Sequence, residues 1–350
     1  SVARANPEHQ TFWMFCRRHF YRCLSLARIL HGYHIVFLMN EFQDDLFKIL
    51  NALDIELNTL NSKSPYRANF DELAEFIDDS DIVILDGYHF DESYMRVLKR
   101  LAARFVVIDD LNKGKYFADI IINHSPHARN AKYRTLKKTK LLLGEQYTLL
   151  RPPFYKYAGN GKVRDEVKVI TICFGGTDSK NIASQYLEAL NHMNRNFKVN
   201  IVLGTSNNNP DSEYEKFNQN LINVMIHRDI SDEKMASLLL SSDLLIATPS
   251  GITMEACTLN IPTITQAVFE NQSPFQKFLK QYKLTTCIPE HSENYSDTLA
   301  TYLNRIVYDK TYRQKMVRNQ KNIFDGNSKL RIRKEIEGLA ESCGIKKIAT

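Results

Sequence analysis

At 350 residues, the chain is long enough for two α/β domains, each with its own core. Its 43% hydrophobic and 25% charged residues match an ordinary globular protein. The net charge of +6 is too small to imply nucleic acid, and it suits either an anionic small substrate or a solvated basic face. The six cysteines form no CxxC pair, no apolar run approaches the ~18 residues of a spanning helix, and no signal-peptide pattern opens the chain. Reduced thiols in a cytoplasmic protein with no stable membrane insertion are expected.

Residues 1–18 show no clean period, including the run Phe12-Trp13-Met14-Phe15. From His19 onward Cys23, Leu24, Leu26, Ala27 and Leu30 mark a helix that His31-Gly32 closes. Residues 34–39 read as a strand and 42–53 as a helix. The alternation continues with a helix over 70–77, a strand over 81–86, a helix over 92–103, and strands over 105–110, 118–123 and 140–144. Three strands end on polar residues: Asp86, Asp109 with Asp110, and Asn123. Parallel sheets bind ligands at that edge, although each of these residues alone fits a cap of the next turn as well. Residues 152–166, rich in Pro, Gly and mixed charge after Arg151, read as a linker.

A second α/β unit then begins. A strand over 167–172 runs into Gly175-Gly176-Thr177-Asp178, and Ile182, Ala183, Tyr186, Leu187 and Leu190 recur at helical spacing behind it. Two readings fit this motif. It is a phosphate seat, in which glycines let a ligand approach and Thr177 and Asp178 open a helix with unpaired donors, or it is an ordinary strand-to-helix turn. Strands over 198–204, 224–226, 243–247 and 262–265 alternate with helices over 233–240 and 253–259, and helices over 299–308, 312–324 and 330–343 end the chain. The expected organisation is a domain over 1–151, the linker, a nucleotide-binding domain over 167–310 and C-terminal helices over 311–350. The fold class is α/β, with two doubly wound Rossmann-like domains facing a cleft.

The residues that bear on chemistry gather at the two sheet edges. In the second half Ser250-Gly251 begins a helix carrying Glu255, a carboxylate that can accept ribose hydroxyls, and Asn271 and Gln272 add amides. No Walker lysine follows the glycines. In the first half His19 stands at a helix start with Arg22 one turn on. It reads either as a base or proton shuttle or as a surface histidine. The histidines form no zinc-ligand spacing.

Taken in order, His19-Phe20-Tyr21-Arg22-Cys23-Leu24, Asp86-Gly87-Tyr88, Ile108-Asp109-Asp110, residues 119–123, Gly175-Gly176-Thr177-Asp178, residues 250–255 and Asn271-Gln272 carry a resemblance. The chain resembles the UDP-2,4-diacetamido-2,4,6-trideoxy-β-L-altropyranose hydrolases of pseudaminic acid biosynthesis, and looks like the related spore-coat polysaccharide proteins. Both share the GT-B glycosyltransferase architecture. The resemblance implies a catalytic role for His19, with Tyr88 in the active site and Asp86 nearby. It places Gly175, Gly176, Thr177, Asp178, Ser250, Gly251 and Glu255 on a UDP-binding face. Arg22, Asp109, Asp110, Asn123, Asn271 and Gln272 join them as substrate-binding candidates. It implies water attack at C1 of the UDP-sugar with inversion and release of UDP, without metal or organic cofactor. A UDP-sugar is the expected partner, with no nucleic acid, and a monomer is favoured. Where that family has a glycine before the histidine, this chain has Arg18, and Met254 precedes Glu255. A glycosyltransferase of the same architecture and a non-catalytic nucleotide-sugar binder are the competing readings.

Overall fold

The computed structural model describes residues 11–16, 20–39, 44–60, 70–77, 79, 81–88, 90–102, 104–175, 178, 180–193, 195–204, 207, 209–218, 222–289 and 295–342. The chain forms two compact units, Ser1–Leu149 with Ser328–Thr350, and Leu150–Asn327. Arg18, His19, Gly176, Thr177 and Cys343 lie outside the described residues.

The first unit contains β1 (Thr11–Cys16), α1 (Phe20–Ile29), β2 (His34–Met39), α2 (Asp44–Asn51), β3 (Glu56–Thr59), α3 (Phe70–Phe76), β4 (Ile82–Asp86), α4 (Glu92–Leu101), β5 (Arg104–Ile108), β6 (Ile120–Asn123) and β7 (Lys140–Leu143). Its strands are all parallel, in the order β3-β2-β1-β4-β5-β6-β7. Residues 11–16, within the stretch that shows no readable period, are therefore an interior strand, third of the seven. Thr11 to Phe15 pair with residues 34–38, and Phe12 to Cys16 pair with residues 82–86. An interior strand of a parallel sheet reads as a near-continuous apolar run and shows no alternation. The edge strand β3, Glu-Leu-Asn-Thr, escaped sequence reading because edge strands are short and polar. Val36, Leu38, Val83, Leu85, Phe105, Val107 and Ile121 form the core beneath α3 and α4.

The second unit contains α5 (Pro152–Lys156), β8 (Val169–Cys173), α6 (Ile182–Asn191), β9 (Phe197–Leu203), α7 (Ser212–Glu215), β10 (Ile222–Arg228), α8 (Asp232–Ser241), β11 (Leu244–Ala247), α9 (Gly251–Leu259), β12 (Thr263–Gln266), α10 (Ser273–Gln281), β13 (Thr286–Ile288), α11 (Tyr295–Tyr308) and α12 (Lys310–Ile323). Its parallel sheet has the order β10-β9-β8-β11-β12-β13. The stretch read as linker is built into this unit. Prolines at its start open α5, and the amides of Gly159 and Gly161 donate to the carbonyls of Thr258 and Leu259 at 2.9 and 2.7 Å. Of the C-terminal helices, α12 stays here, with Gln320 donating to the carbonyls of Ile261 and Leu284. The last helix, α13 (Ser328–Glu341), belongs to the first unit. Arg333 of α13 donates to the carbonyls of Ile29 and His31 at the end of α1, where a cation satisfies the last helical carbonyls.

Among the described residues Arg313 is the largest fully buried side chain. It donates to the carbonyls of Ile306 and Val307 at 2.8 Å each, and to those of Arg164 and Asp165 at 2.9 and 2.8 Å. It thereby ties the end of α11 to the segment that leads into β8. Arg313→Met keeps the stem and strands these acceptors. A loss of about 2–3 kcal/mol is expected from denaturant titration of the variant.

Candidate active site

Each sheet reverses its strand order once, and ligands bind outside the carboxyl ends of strands at such a point. In the first unit the reversal lies between β1 and β4, in the second between β8 and β11.

At the first reversal β4 ends on Asp86, which pairs with Ile108 of β5, so Asp109 and Asp110 follow at the same edge. Arg22, on the first turn of α1, reaches this edge. Its Nε donates to Asp86 Oδ2 at 2.8 Å and its Nη2 to Asp86 Oδ1, a two-pronged ion pair. Its Nη1 donates to Asp110 Oδ2 at 3.0 Å. The Tyr88 hydroxyl donates to the same Asp110 oxygen at 3.0 Å. The Arg22 and Asp86 side chains are 9% and 0% exposed. Burial opposes the Arg22 charge, but the Asp86 hydrogen bond and the charges of Asp86 and Asp110 outweigh it and hold the guanidinium above its ordinary range. Burial and then the Asp110 charge push the Tyr88 phenol up to about 12, so at neutral pH it remains a hydrogen-bond donor.

This geometry corrects the expectation for Asp86. Both of its oxygens are taken by Arg22, and the Cys23 thiol adds a contact at 3.6 Å. It orients Arg22 and is not placed to act as a base. Asp109 and Asn123 form a separate network. Asp109 Oδ2 accepts from the Asn112 amide and the Tyr133 hydroxyl, both at 2.8 Å. Asn123 Nδ2 donates to Tyr133 at 2.8 Å, and its Oδ1 accepts from the Ser125 amide. For these two the capping reading describes the structure. Arg22 links Asp86 to Asp110, and Tyr88 joins the cluster through Asp110.

At the second reversal Gly175 follows β8 with φ +82°, a conformation that favours glycine, and a Cβ there would meet nothing within 4 Å. The expected open helix start behind it is not found. The N-cap of α6 is Asn181, and buried Asp178 accepts from the amides of Ile182 and Ala183 at 2.9 and 3.1 Å. A carboxylate of the chain itself thus occupies the place proposed for a phosphate, and burial raises its pKa against those bonds. Asp178→Ala removes this cap, and thermal unfolding should report a loss of about 1–2 kcal/mol.

The helix start that stays open is α9. Its N-cap Ser250 turns its hydroxyl to Thr248, and the Ser250 carbonyl accepts from the amides of Thr253 and Met254. The amides of Gly251 and Ile252 have no partner among the described residues, and a Cβ at Gly251 would meet nothing within 4 Å. Glu255, one turn further on, is buried. Its Oε1 and Oε2 accept from Arg151 Nε at 2.7 Å and Nη2 at 2.6 Å. Arg151 Nη1 also reaches Asp232 at the start of α8 at 3.0 Å. Burial opposes the Arg151 charge, yet the bonds and charges of Glu255 and Asp232 hold it above the ordinary guanidinium range. Reading Glu255 as an acceptor of ribose hydroxyls did not foresee this internal partner, because Arg151 looked only like the start of a linker. An arginine directly before Pro152-Pro153 was the only available signal, and it is a weak one. Gln272 Oε1 is bound by the amides of Val268 and Phe269 at 2.8 and 3.3 Å. The neighbouring Asn271 is exposed, with no side-chain hydrogen bond among the described residues.

Among the described residues there is no group of His, Cys, Asp and Glu side chains arranged to hold a metal ion, and no helix long and apolar enough to cross a membrane.

No family model matches the chain. It is 27% identical over 288 residues to the uncharacterised protein MJ1062 of Methanocaldococcus jannaschii, a match covering 77% of this chain and 57% of that one. It is 27% identical over 218 residues to the UDP-2,4-diacetamido-2,4,6-trideoxy-β-L-altropyranose hydrolase of Campylobacter jejuni, covering 60% of this chain and 74% of the relative. Among solved structures it is similar to MurG of Acinetobacter baumannii (TM-score 0.65, 11% identity, 94% of this chain and 99% of the other). It is also similar to the calicheamicin glycosyltransferase CalG4 (TM-score 0.64, 13% identity, 95% and 98%). These likenesses establish the fold as GT-B, with two Rossmann-like units.

Proposed function

We propose that the protein hydrolyses a UDP-sugar, and that its substrate is UDP-2,4-diacetamido-2,4,6-trideoxy-β-L-altropyranose in pseudaminic acid biosynthesis. The observation that carries this reading is the likeness over 218 residues to a hydrolase of that substrate. Water attacks C1 from the face opposite the nucleotide, the C1–O bond breaks with its electron pair leaving on UDP, and the free sugar forms with inversion. UDP is a good leaving group, so the protein's task is to fix donors on the diphosphate and to hold one water in line with C1. The open amides of Gly251 and Ile252, with the α9 dipole behind them, are suited to the diphosphate. Gly175 lets a ligand come close, and Asn271 offers an amide to the sugar or nucleotide. In the first unit, Tyr88 and the carboxylates oriented by Arg22 are suited to the reacting end. His19, three positions before Arg22 in the chain, is the proposed catalytic histidine that positions the water. The function is placed in the cytoplasm, with a monomer as the working form.

The experiment is proton NMR of the purified protein with this UDP-sugar and no acceptor. Free sugar and UDP appearing together, with release abolished in His19→Ala, is the expected result. UDP release only after an acceptor alcohol is added would instead identify a glycosyltransferase. Tight UDP-sugar binding with no release under either condition would identify a non-catalytic binder, the reading to which Arg18 in place of glycine points.

A further inference from the structure

Gln266, the last residue of β12, carries a side-chain amide held in one direction. It follows Thr265, which pairs with Ala247 at the end of β11. Gln266 therefore stands at the carboxyl edge of the second sheet, one strand from the segment 248–250 that leads into α9. Its Oε1 accepts from the Tyr186 hydroxyl of α6 and the Tyr295 hydroxyl of α11, both at 2.8 Å. Burial raises the pKa of both phenols, so each hydroxyl keeps its proton and donates. The reverse orientation of the amide would set two phenol protons against a nitrogen that accepts nothing. The two tyrosines thus hold the oxygen toward the helices and leave Nε2 as the group presented elsewhere. Gln266 is only 6% exposed, and Nε2 donates to no group among the described residues. It is nevertheless open to solvent. The side-chain amide atoms that are both partnerless and sealed from solvent are the oxygens of Asn260, Gln276 and Gln320. A polar side chain this buried normally has its hydrogen bonds satisfied within the protein. Here the acceptor is used twice and the donor is kept for a group outside the chain. Lys180, on the loop before α6, donates to the Val268 carbonyl at 2.9 Å, two residues beyond Gln266, and brings a cation to the same edge. A fixed donor beside a cation suits an anionic oxygen.

We infer that Gln266 binds the diphosphate of the nucleotide, its Nε2–H donating to a phosphate oxygen while Tyr186 and Tyr295 hold the amide in place. This rests on the UDP-sugar reading given above. The open amides of Gly251 and Ile252 meet the diphosphate at the start of α9, and Gln266 adds a side-chain donor from the neighbouring strand. Tyr186 and Tyr295 are positioning residues, since they touch the amide and not the ligand.

The test measures binding of UDP by calorimetry and of uridine, which lacks the diphosphate, by NMR titration, both on the full-length protein. Gln266→Glu keeps an acceptor for both tyrosines but replaces the donor with an oxygen that repels phosphate. Its Kd for UDP should rise by about 10–100-fold, the range for a hydrogen bond to a charged group, with Kd for uridine within about twofold of the wild type. Tyr295→Phe loosens the amide without removing it, and should raise Kd for UDP by a smaller factor, about three- to tenfold, again leaving uridine unchanged. If Gln266→Glu does not fold, Gln266→Met, which has neither donor nor charge, is titrated with the same two ligands. A purely structural role for Gln266 would lower the folding midpoint and weaken UDP and uridine equally, and would overturn the assignment. If the wild type binds UDP and the Gln266 variant stays within about threefold of it, the assignment is overturned while the nucleotide reading stands. If the wild type binds no UDP, the UDP-sugar reading fails and the assignment fails with it.

Discussion

Replacing Arg22 with methionine is expected to destabilise the first unit by about 3–5 kcal/mol, the cost of leaving a buried carboxylate without its partner. The reason lies in Asp86, which is fully buried at the end of β4 and has both oxygens on this guanidinium. Without Arg22, Asp86 either keeps an uncompensated charge in the core or takes up a proton. Asp110 loses its Nη1 bond at the same time. A domain has roughly 5–15 kcal/mol of stability in total, so urea titration followed by circular dichroism should show the first unit unfolding early. Arg22→Lys should recover only part of the loss, because an ammonium cannot form the two-pronged contact. The double variant Arg22→Met with Asp86→Leu should be more stable than Arg22→Met alone, since removing both charges leaves none buried. Equal stability of Arg22→Met and the wild type would show that the pair contributes nothing.

The second large effect is expected at Arg151. Its guanidinium holds both oxygens of buried Glu255 and one of Asp232, joining the segment before α5 to the first turns of α9 and α8. Arg151→Met should cost about 3–5 kcal/mol for the same reason, here in the second unit. Glu255→Gln should cost less, because a neutral amide still accepts from the arginine and leaves no buried anion. The proposed diphosphate amides, Gly251 and Ile252, lie one turn from Glu255 on α9, so Arg151→Met should also weaken UDP binding, read by calorimetry. A stability loss with unchanged UDP affinity would separate this ion pair from the nucleotide site.

The alternation of strands and helices was legible because parallel strands buried on both faces are short apolar runs, as in Ile82 to Leu85 and Leu244 to Ala247. The same property concealed β1. Phe12-Trp13-Met14-Phe15 has no alternation to find, and only its pairing with β2 and β4 identifies it as an interior strand of the sheet. Edge strands β3 and β13 are polar or very short, and local composition does not distinguish them from loops. In the candidate site, residue types were legible but partners were not. Asp86, Asp109 and Asp110 look alike in sequence, and their different uses depend on Arg22, Tyr133 and Asn112 arriving from other segments. Asp178 looked like a residue that opens a helix to a phosphate, yet its left-handed backbone, with φ of 38°, folds the carboxylate back onto the α6 amides. Glu255 reads in sequence as an acceptor of ribose hydroxyls, but both of its oxygens are held by an arginine that lies 104 residues away in the chain.

In the proposed reaction water is the nucleophile and C1 of the sugar is the atom attacked. Turnover of the UDP-sugar in heavy-oxygen water, followed by mass spectrometry of both products, tests this most directly. One heavy oxygen in the free sugar and none in UDP is the expected result. Heavy oxygen in the UDP phosphate would mean cleavage at phosphorus and would contradict it.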